Sequence, residues 1–274
     1  MTWLDHGHPL AALVCLLSCA VLGWFVPHLI ARIPEPEAEP VDSGAADVTQ
    51  SATVAEPEQD PDADTDISGV AAATPAAGAR EKVPYVEIAR SPGLAVRAAV
   101  TSALVGAVLG ASVGLDWVLP CLVFLTPVGV ALAVVDWRTM LLPTKVIAPS
   151  YAVVIVLLLL AAAVQQDAHR LLTAALGWLV AGGLFWLLWR IYPKGMGYGD
   201  VRLSGILGLA LGYLGWPQLL VGVYAGFLIG GLGGLVLAGL RLVQRKRFPF
   251  GPFMLVGAVV GVVLGPTVAA GLGY

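Results

Sequence analysis

Two aspartates, Asp136 and Asp200, are the side chains of this 274-residue chain whose setting favours chemistry. Asp136 follows a run of apolar residues, and Asp200 ends a glycine-rich stretch directly before another apolar run. Each is predicted to lie at the end of a membrane helix, where an ionisable group is costly and is by default a functional hypothesis. If the two meet, they share one proton, so that one activates a water while the other donates to a scissile carbonyl. That is the chemistry of aspartic proteolysis, which needs no cofactor.

The surroundings of each aspartate also allow a structural interpretation. Asp136 is expected to open a turn that runs to Pro143, because proline stops a continuing helix. Asp200 ends a segment in which three glycines at alternate positions permit close backbone approach. An aspartate at a helix N-terminus also caps free backbone amides, so a capping role explains Asp200 equally well when it is considered alone.

The elements that must position these side chains are membrane helices. Hydrophobic residues make up 58% of the chain and charged residues 12%, with a mean hydropathy of +0.85, whereas a soluble domain averages about 45–50% apolar and about 25% charged. A spanning helix needs about 20 apolar residues. The sequence therefore predicts an all-α, polytopic integral membrane protein with about eight transmembrane helices. The predicted spans are roughly 9–31, 97–115, 117–135, 146–165, 171–190, 201–214, 217–240 and 252–272.

The positions of lysine and arginine predict the orientation, because translocated loops contain few of them. With the N-terminus outside, fourteen of the fifteen fall on the cytoplasmic side and only Arg170 falls outside. We therefore expect a multi-pass protein of the cell inner (cytoplasmic) membrane whose two aspartates face the cytoplasm. The first span is expected to be retained, because the residues before Pro9 lack the basic charge of a signal peptide.

The chain is expected to have three parts, which are residues 1–32, 33–95 and 96–274. The first is a transmembrane helix and the last is a seven-helix membrane core. Residues 33–95 contain thirteen acidic and three basic residues and eight of the nineteen prolines. Such a composition buries too little apolar area to offset the entropy of ordering, which predicts a disordered acidic cytoplasmic linker.

Glycines recur at every fourth residue in three spans, which predicts seams where helix backbones pack closely. They are Gly106, Gly110 and Gly114; Gly222, Gly226, Gly230 and Gly234; and Gly257, Gly261 and Gly265. The three cysteines and four histidines show no metal-ligand spacing, so no metal site is expected. Because the basic residues lie in short turns, where membrane topology explains them, no nucleic-acid partner is expected.

Three short motifs follow one another in the order expected of one known family. They are Asp136 with Arg138-Thr139 and Leu142-Pro143, then Gly197-Tyr198-Gly199-Asp200, then Phe248-Pro249-Phe250-Gly251-Pro252-Phe253. Together they resemble the signatures of type IV prepilin peptidases, which are membrane aspartyl proteases of the GxGD type. A weaker similarity lies in Arg32-Ile33-Pro34. The resemblance covers residues 9–34 and 97–272.

The resemblance implies an aspartic endopeptidase that removes the basic leader from type IV prepilins or pseudopilins at the cytoplasmic membrane face. Prepilins and the lipid bilayer are then the expected partners. Asp136 and Asp200 match the catalytic pair. The residues expected to support the substrate site or the motifs are Pro143, Gly197, Gly199, Pro249, Phe250, Gly251 and Pro252. Arg202 stands where the family usually has lysine, which keeps the charge but changes its shape.

One departure from the family concerns zinc. Many relatives have, between the first two spans, a cytoplasmic domain with two CxxC pairs that bind zinc and accompany N-methylation of the new pilin terminus. The corresponding interval of this chain contains no cysteine. We therefore expect no zinc and no other cofactor, and N-methylation stays open, as does the oligomeric state.

Two alternatives belong to other functional classes. In a proton- or ion-coupled transporter, Asp136 and Asp200 would relay ions, but transporters tend to place ionisable groups near the bilayer midplane, often between inverted repeats. Neither feature is evident in the sequence. In a catalytically inactive pilus-assembly scaffold, the same fold would be kept without proteolysis.

Overall fold

A computed structural model describes residues 8–34, 84–193, 196–239, 249–271 and 273. These residues form ten α-helices and no strand. The helices are α1 (Pro9–Trp24), α2 (Val26–Ala31), α3 (Tyr85–Ala89), α4 (Leu94–Val113), α5 (Leu119–Thr139), α6 (Thr144–Gln165), α7 (Ala168–Ile191), α8 (Tyr198–Leu214), α9 (Trp216–Gly239) and α10 (Gly251–Gly271).

Seven helical segments in the described part of the chain are long and apolar enough to cross a membrane. One of them, Pro9–Ala31, joins α1 and α2, and the others lie in α4, α5, α6, α7, α9 and α10. The all-α, polytopic membrane fold predicted from the sequence is confirmed. The remaining predicted span, 201–214, corresponds to α8, which has 17 residues.

Helix α8 packs alongside α7, and the two helices run in opposite directions. Gly177 of α7 lies against Gly208 of α8, while Thr173, earlier in α7, lies against Gly212, later in α8. A methyl group on Gly177 would overlap the Gly208 carbonyl, so the two backbones are in direct contact. This contact explains glycines that otherwise only weaken a helix, because small residues allow membrane helices to pack closely.

The predicted glycine seams are confirmed in two further antiparallel pairs. Gly106 and Gly110 of α4 pack on Cys19 and Ala11 of α1. Gly222 and Gly226 of α9 pack on the backbone at Gly257 of α10. The glycines of α7 and α8 are less regularly spaced, so the sequence does not predict such a seam there.

Two helices form the centre of the described bundle. Helix α5 has 61% of its most apolar 18-residue window buried, more than any other candidate span, and α8 contacts α6, α7, α9 and α10. By contrast, α1 exposes Leu10, Leu13, Leu17 and Val21 along one side. Exposed leucine and valine at this spacing give a helix face suited to lipid. The aspartates therefore belong to the two central helices of the described bundle.

Residues 35–83, which include most of the predicted linker, lie outside the described residues. The linker prediction extended to residue 95, but the structure forms α3 at Tyr85–Ala89 and begins α4 at Leu94. Tyr85 and Ile88 are buried, and α3 contacts α2 and α5. Apolar side chains spaced three residues apart lie on one side of a helix, which explains why this short segment packs inward.

Helix α5 continues further than its predicted span. The expectation that Asp136 opens a turn ending at Pro143 was wrong, because Asp136 lies in the last turn of α5. The helix ends where Met140 adopts a left-handed conformation with φ 54°, and its amide donates to the Asp136 carbonyl at 2.8 Å. Pro143 instead precedes α6 directly.

Candidate active site

Asp136 lies in the last turn of α5 and is held there by the beginning of a distant helix. Its side chain is only 4% exposed. The backbone amide of Gly251, the first residue of α10, donates a 3.0 Å hydrogen bond to Asp136 Oδ2. Amides of a first helical turn have no partner within their helix, and the helix dipole favours negative charge there. The beginning of α10 thus supplies the donor that a buried carboxylate requires.

Asp200 is the third residue of α8 and is 7% exposed. Its Oδ2 accepts a 3.2 Å hydrogen bond from the backbone amide of Gly197, the residue before the helix. The suggestion that Asp200 is the helix cap was therefore inexact, since Gly197 occupies the capping position. The carboxylate reaches back to that residue and satisfies its amide, as an acidic residue at the third helical position commonly does.

Leu142 joins the surroundings of the two aspartates. A Cβ atom on Gly199 would lie 2.6 Å from Leu142 Cβ, so Gly199 and Leu142 are packed without space between them. A Cβ atom on Gly251 would lie 2.8 Å from Asp136 Oδ2 and 3.6 Å from Leu142 Cδ1. The residue next to Asp200 and the residue bonded to Asp136 therefore both contact Leu142.

The two carboxyl groups are near enough for the charge of one to affect the other. The negative charge of Asp136 acts on Asp200, and both side chains are removed from bulk water. Within the described residues, neither Oδ1 atom accepts a hydrogen bond from the protein. Each aspartate is consequently fixed through one oxygen, and its other oxygen is free to contact a water or a substrate.

An aromatic cluster supports the beginning of α10. The ring of Phe250 lies 5.9 Å from the ring of Phe185 and 5.6 Å from that of Phe227, and these two rings stack at 5.0 Å. Gly230 also lies against Phe250, where a Cβ atom would be 2.5 Å from the ring. Because Phe250 immediately precedes Gly251, this packing fixes the amide that bonds Asp136.

Apart from Phe250, the predicted supporting residues divide into two groups. Gly197, Gly199 and Gly251 contact an aspartate or the Leu142 bridge directly. Pro143, Pro249 and Pro252 lie at helix beginnings: Pro143 precedes α6, Pro249 is buried before α10, and Pro252 is its second residue. Proline is favoured at such positions because its missing N–H would have had no helical partner. Lys194, Gly195 and the basic residues 241–247 lie outside the described residues.

The part of the chain that the structure describes has no group of three or more histidine, cysteine or acidic side chains able to hold a metal ion. Cys15, Cys19 and Cys121 are buried free thiols. Asp136 and Asp200 are two buried carboxyl groups, and carboxyl groups can take part in general acid and base catalysis.

Comparison with known proteins finds a sequence family whose model matches a segment that contains both aspartates. Residues 123–235 match the family described as the type IV leader peptidase family. The resemblance to type IV prepilin peptidases is confirmed. The match begins within α5 and ends within α9. It includes Asp136, Leu142, Gly199 and Asp200, whereas Gly251 lies beyond it.

Three curated relatives have one name in common, "Prepilin leader peptidase/N-methyltransferase". The protein from Aeromonas salmonicida (strain A449) is 31% identical over 170 residues, which is 61% of this chain and 57% of the relative. That from Escherichia coli (strain K12) is 30% identical over 137 residues, or 48% of this chain and 57% of the relative. That from Pseudomonas aeruginosa is 27% identical over 154 residues, 56% of this chain and 52% of the relative. No solved structure matches the chain.

The chain thus spans somewhat more than half the length of the relatives it matches.

Three residues near the motifs were not assigned a site role from the sequence. Leu142 was quoted only as part of a motif, and Phe185 and Phe227 were not singled out. Leu142 could have been found from its place beside Pro143, but nothing in the sequence marks the two phenylalanines, because their role depends on the packing of α7 against α9 and α10.

Proposed function

We propose that this protein is an aspartic endopeptidase of the membrane that removes the leader peptide from type IV prepilins or pseudopilins. The observation that supports it best is the pair formed by Asp136 and Asp200. Each carboxyl group lies at the end of a central helix and is fixed by one backbone amide, and the adjoining glycines, Gly199 and Gly251, both lie against Leu142. The relatives that share this segment are named as prepilin leader peptidases.

The proposed mechanism needs one proton between the two carboxyl groups. Two buried carboxylates in mutual range cannot both ionise readily, so one keeps its proton. The ionised member takes a proton from a water, which attacks the scissile carbonyl carbon. The protonated member donates to the carbonyl oxygen, and the C–N bond then breaks with proton return to the leaving amine. The amides of Gly251 and Gly197 hold the carboxyl groups in place throughout.

The proposed substrate is a peptide with a short basic leader that precedes an apolar helix. The aspartates lie where α5 ends and α8 begins, so a peptide bond at the membrane surface could reach them while an adjoining apolar helix stays in lipid. From the distribution of lysine and arginine, we further propose that this surface is the cytoplasmic face of the inner membrane.

The zinc-free state predicted for this chain also belongs to the proposal. The relatives' name includes N-methyltransferase, and this chain has no cysteine between its first two spans. Whether methyl transfer accompanies cleavage is testable by incubating the purified protein with a prepilin and a labelled methyl donor, with and without a metal chelator. Cleavage itself is expected to survive the chelator.

The central test is replacement of each carboxylate by its amide. Asp136→Asn and Asp200→Asn should each abolish cleavage of a prepilin with a basic leader, because an amide cannot share a proton with the remaining carboxyl group. Asp167→Asn is the matched control, since Asp167 caps α7 by accepting from His169 and Arg170 amides and asparagine caps equally well. Retention of cleavage by both site variants, with folding verified by thermal unfolding, would reject the aspartic mechanism.

A further inference from the structure

A groove of about 540 Å³ opens between α6, α7 and α8, away from the aspartates. Its walls are apolar and come from Ile147, Ala148, Ile155, Ala175, Trp178 and Leu209. Its polar groups are Thr144, Tyr151 and Arg202. Thr144 and Arg202 lie near the beginnings of α6 and α8, so the charged end of the groove is on the same side of the bundle as Asp200.

The groove and the aspartates lie on different sides of α8. Successive residues of an α-helix are rotated by about 100°, so Arg202 points about 200° away from Asp200. Leu209, seven residues after Arg202, returns to the same side of the helix and also lines the groove. The groove is therefore a second feature of the protein, distinct from the proposed catalytic pair.

Arg202 is held in a fixed position at the mouth of this groove. Its Cζ lies 4.7 Å from the centre of the Tyr198 ring, and its Nη1 donates to Thr144 Oγ1. Its carbonyl accepts a 2.8 Å hydrogen bond from Tyr151 Oη, which is itself hydrogen-bonded to Trp178. An arginine ordered by stacking and hydrogen bonds has already lost the entropy that binding would otherwise cost.

The Arg202 guanidinium has N–H donors that are not used in the contact with Thr144. Arginine has five N–H donors, of which the contact with Thr144 uses one. In the described parts of the chain the ion pairs join Arg170 to Asp116 and Asp167, and no carboxylate pairs with Arg202. A cation at a membrane surface without an acidic partner attracts anions, and a guanidinium matches phosphate oxygens with two parallel hydrogen bonds.

The shape of the groove indicates what accompanies the anion. Ile155 follows Thr144 by eleven residues on α6, so the apolar wall extends about 16 Å from the charged mouth toward the middle of the bilayer. A soluble phosphate would leave this apolar trough unfilled. We propose that the groove binds an anionic phospholipid, with the phosphate on Arg202 and one acyl chain along α6 and α8.

The test compares phospholipids on the purified full-length protein in detergent. Phosphatidylglycerol, which has a net negative charge, should bind about tenfold more tightly than phosphatidylcholine. The choline cation of phosphatidylcholine offsets the phosphate charge that Arg202 attracts, and one charge interaction is worth roughly a factor of ten. Binding is measured by mass spectrometry of the intact protein and by the shift in thermal unfolding. Glycerol 3-phosphate, which has the anion without the chains, should give no comparable shift.

Two variants test the contribution of the Arg202 charge and that of the apolar groove separately. Arg202→Gln can still donate to Thr144 but lacks the charge, so its affinity for phosphatidylglycerol should fall to that for phosphatidylcholine. Ala148→Phe should fill the trough and weaken binding of both lipids. Arg190→Gln is the matched control, because Arg190 is an exposed cation in the last turn of α7 outside the groove, and it should keep the tenfold preference.

Three results would overturn the proposal. One is equal affinity of the wild-type protein for the two lipids, and another is an unchanged preference in Arg202→Gln. The third is a groove occupied by the apolar helix of the substrate, in which case Ala148→Phe would raise the KM for prepilin and leave lipid binding unaltered. None of these lipid measurements requires cleavage, so the lipid site and the protease function can fail independently.

Discussion

The amide of Gly251 donates a 3.0 Å hydrogen bond to Asp136 Oδ2 across 115 residues of sequence. This bond joins the end of α5 to the beginning of α10. It depends on the absence of a side chain, because a Cβ atom at residue 251 would lie 2.8 Å from the same oxygen. Gly251 therefore both donates a hydrogen bond to Asp136, a proposed catalytic residue, and leaves the space that its carboxylate occupies.

Gly251→Ala is accordingly expected to reduce kcat for prepilin cleavage by about a hundredfold, because displacement of a catalytic group by an ångström has an effect of that order. The added methyl group must push Asp136 away or break its hydrogen bond. Gly183→Ala is the control, since residue 183 has no atom within 4 Å of an added Cβ. A Gly251→Ala enzyme with normal kcat would show that this bond does not position Asp136.

The two glycines of the Gly197-Tyr198-Gly199-Asp200 motif are expected to differ in importance. A Cβ on Gly199 would lie 2.6 Å from Leu142 Cβ, whereas a Cβ on Gly197 would meet nothing closer than Asp200 Oδ2 at 3.6 Å. Gly199→Ala should therefore lower the cleavage rate at least tenfold, by shifting Leu142 or Asp200. Gly197→Ala should stay within about twofold of the wild type, as for a substitution without steric conflict.

Steady-state cleavage by the two variants, compared at equal amounts of folded protein, checks this difference. If both substitutions proved equally harmful, the motif would require glycine for backbone conformation rather than for contact with Leu142. Because Gly197 has an extended backbone with φ −73° and ψ 145°, which any residue can adopt, we expect the contact explanation to hold.

Asp116 is expected to stabilise the opposite end of the bundle. Its carboxylate accepts from Val118 N at 2.9 Å, Gln165 Nε2 at 2.8 Å and Arg170 Nη1 at 3.1 Å. Burial alone would raise the pKa of Asp116, but the bonds from Val118, Gln165 and Arg170 together lower it below its usual value of 3.8. The ionised carboxylate thus contributes stability above about pH 4, which is lost as the pH falls through the lowered pKa.

Asp116→Asn should lower the free energy of unfolding near pH 7 by about 1 kcal/mol, discounted because Arg170 is partly exposed to solvent. The difference from the wild type should narrow in acid as the wild-type carboxylate takes up a proton. Thermal unfolding at several pH values measures it, and kcat should be unchanged, because α5 separates Asp116 from Asp136. A difference that persists unchanged below pH 3 would argue against an ionic contribution.

The contact between α7 and α8 gives a prediction about folding. Gly177→Ala places a methyl group against the Gly208 carbonyl and should destabilise the protein by about 1–3 kcal/mol through overpacking. Gly183→Ala, in the same helix and facing open space, should be neutral or slightly stabilising, since alanine favours helix. Unfolding temperature in detergent distinguishes the two, and an equal effect of both substitutions would mean that α7 and α8 do not pack through Gly177.

Some features of this protein are fixed by the sequence alone. Hydropathy determined the helical spans and the membrane class, because about 20 consecutive apolar residues satisfy a bilayer whatever surrounds them. The short motifs identified Asp136 and Asp200 as the residues to examine. Regular glycine spacing likewise predicted the seams in α4, α9 and α10, since every fourth residue lies on one side of a helix.

The tertiary structure decided what those helices do to one another. That Gly251 bonds Asp136, that Leu142 lies between the two glycine contacts, and that Phe185 packs behind Phe250 all depend on how each helix is rotated and how deeply it sits. Hydropathy does not predict which side of a helix faces other helices. Lipid and the protein interior are equally apolar, so leucine is found on both sides. The same reason hid the groove beside Arg202, whose apolar walls resemble any lipid-facing surface until α6, α7 and α8 are brought together.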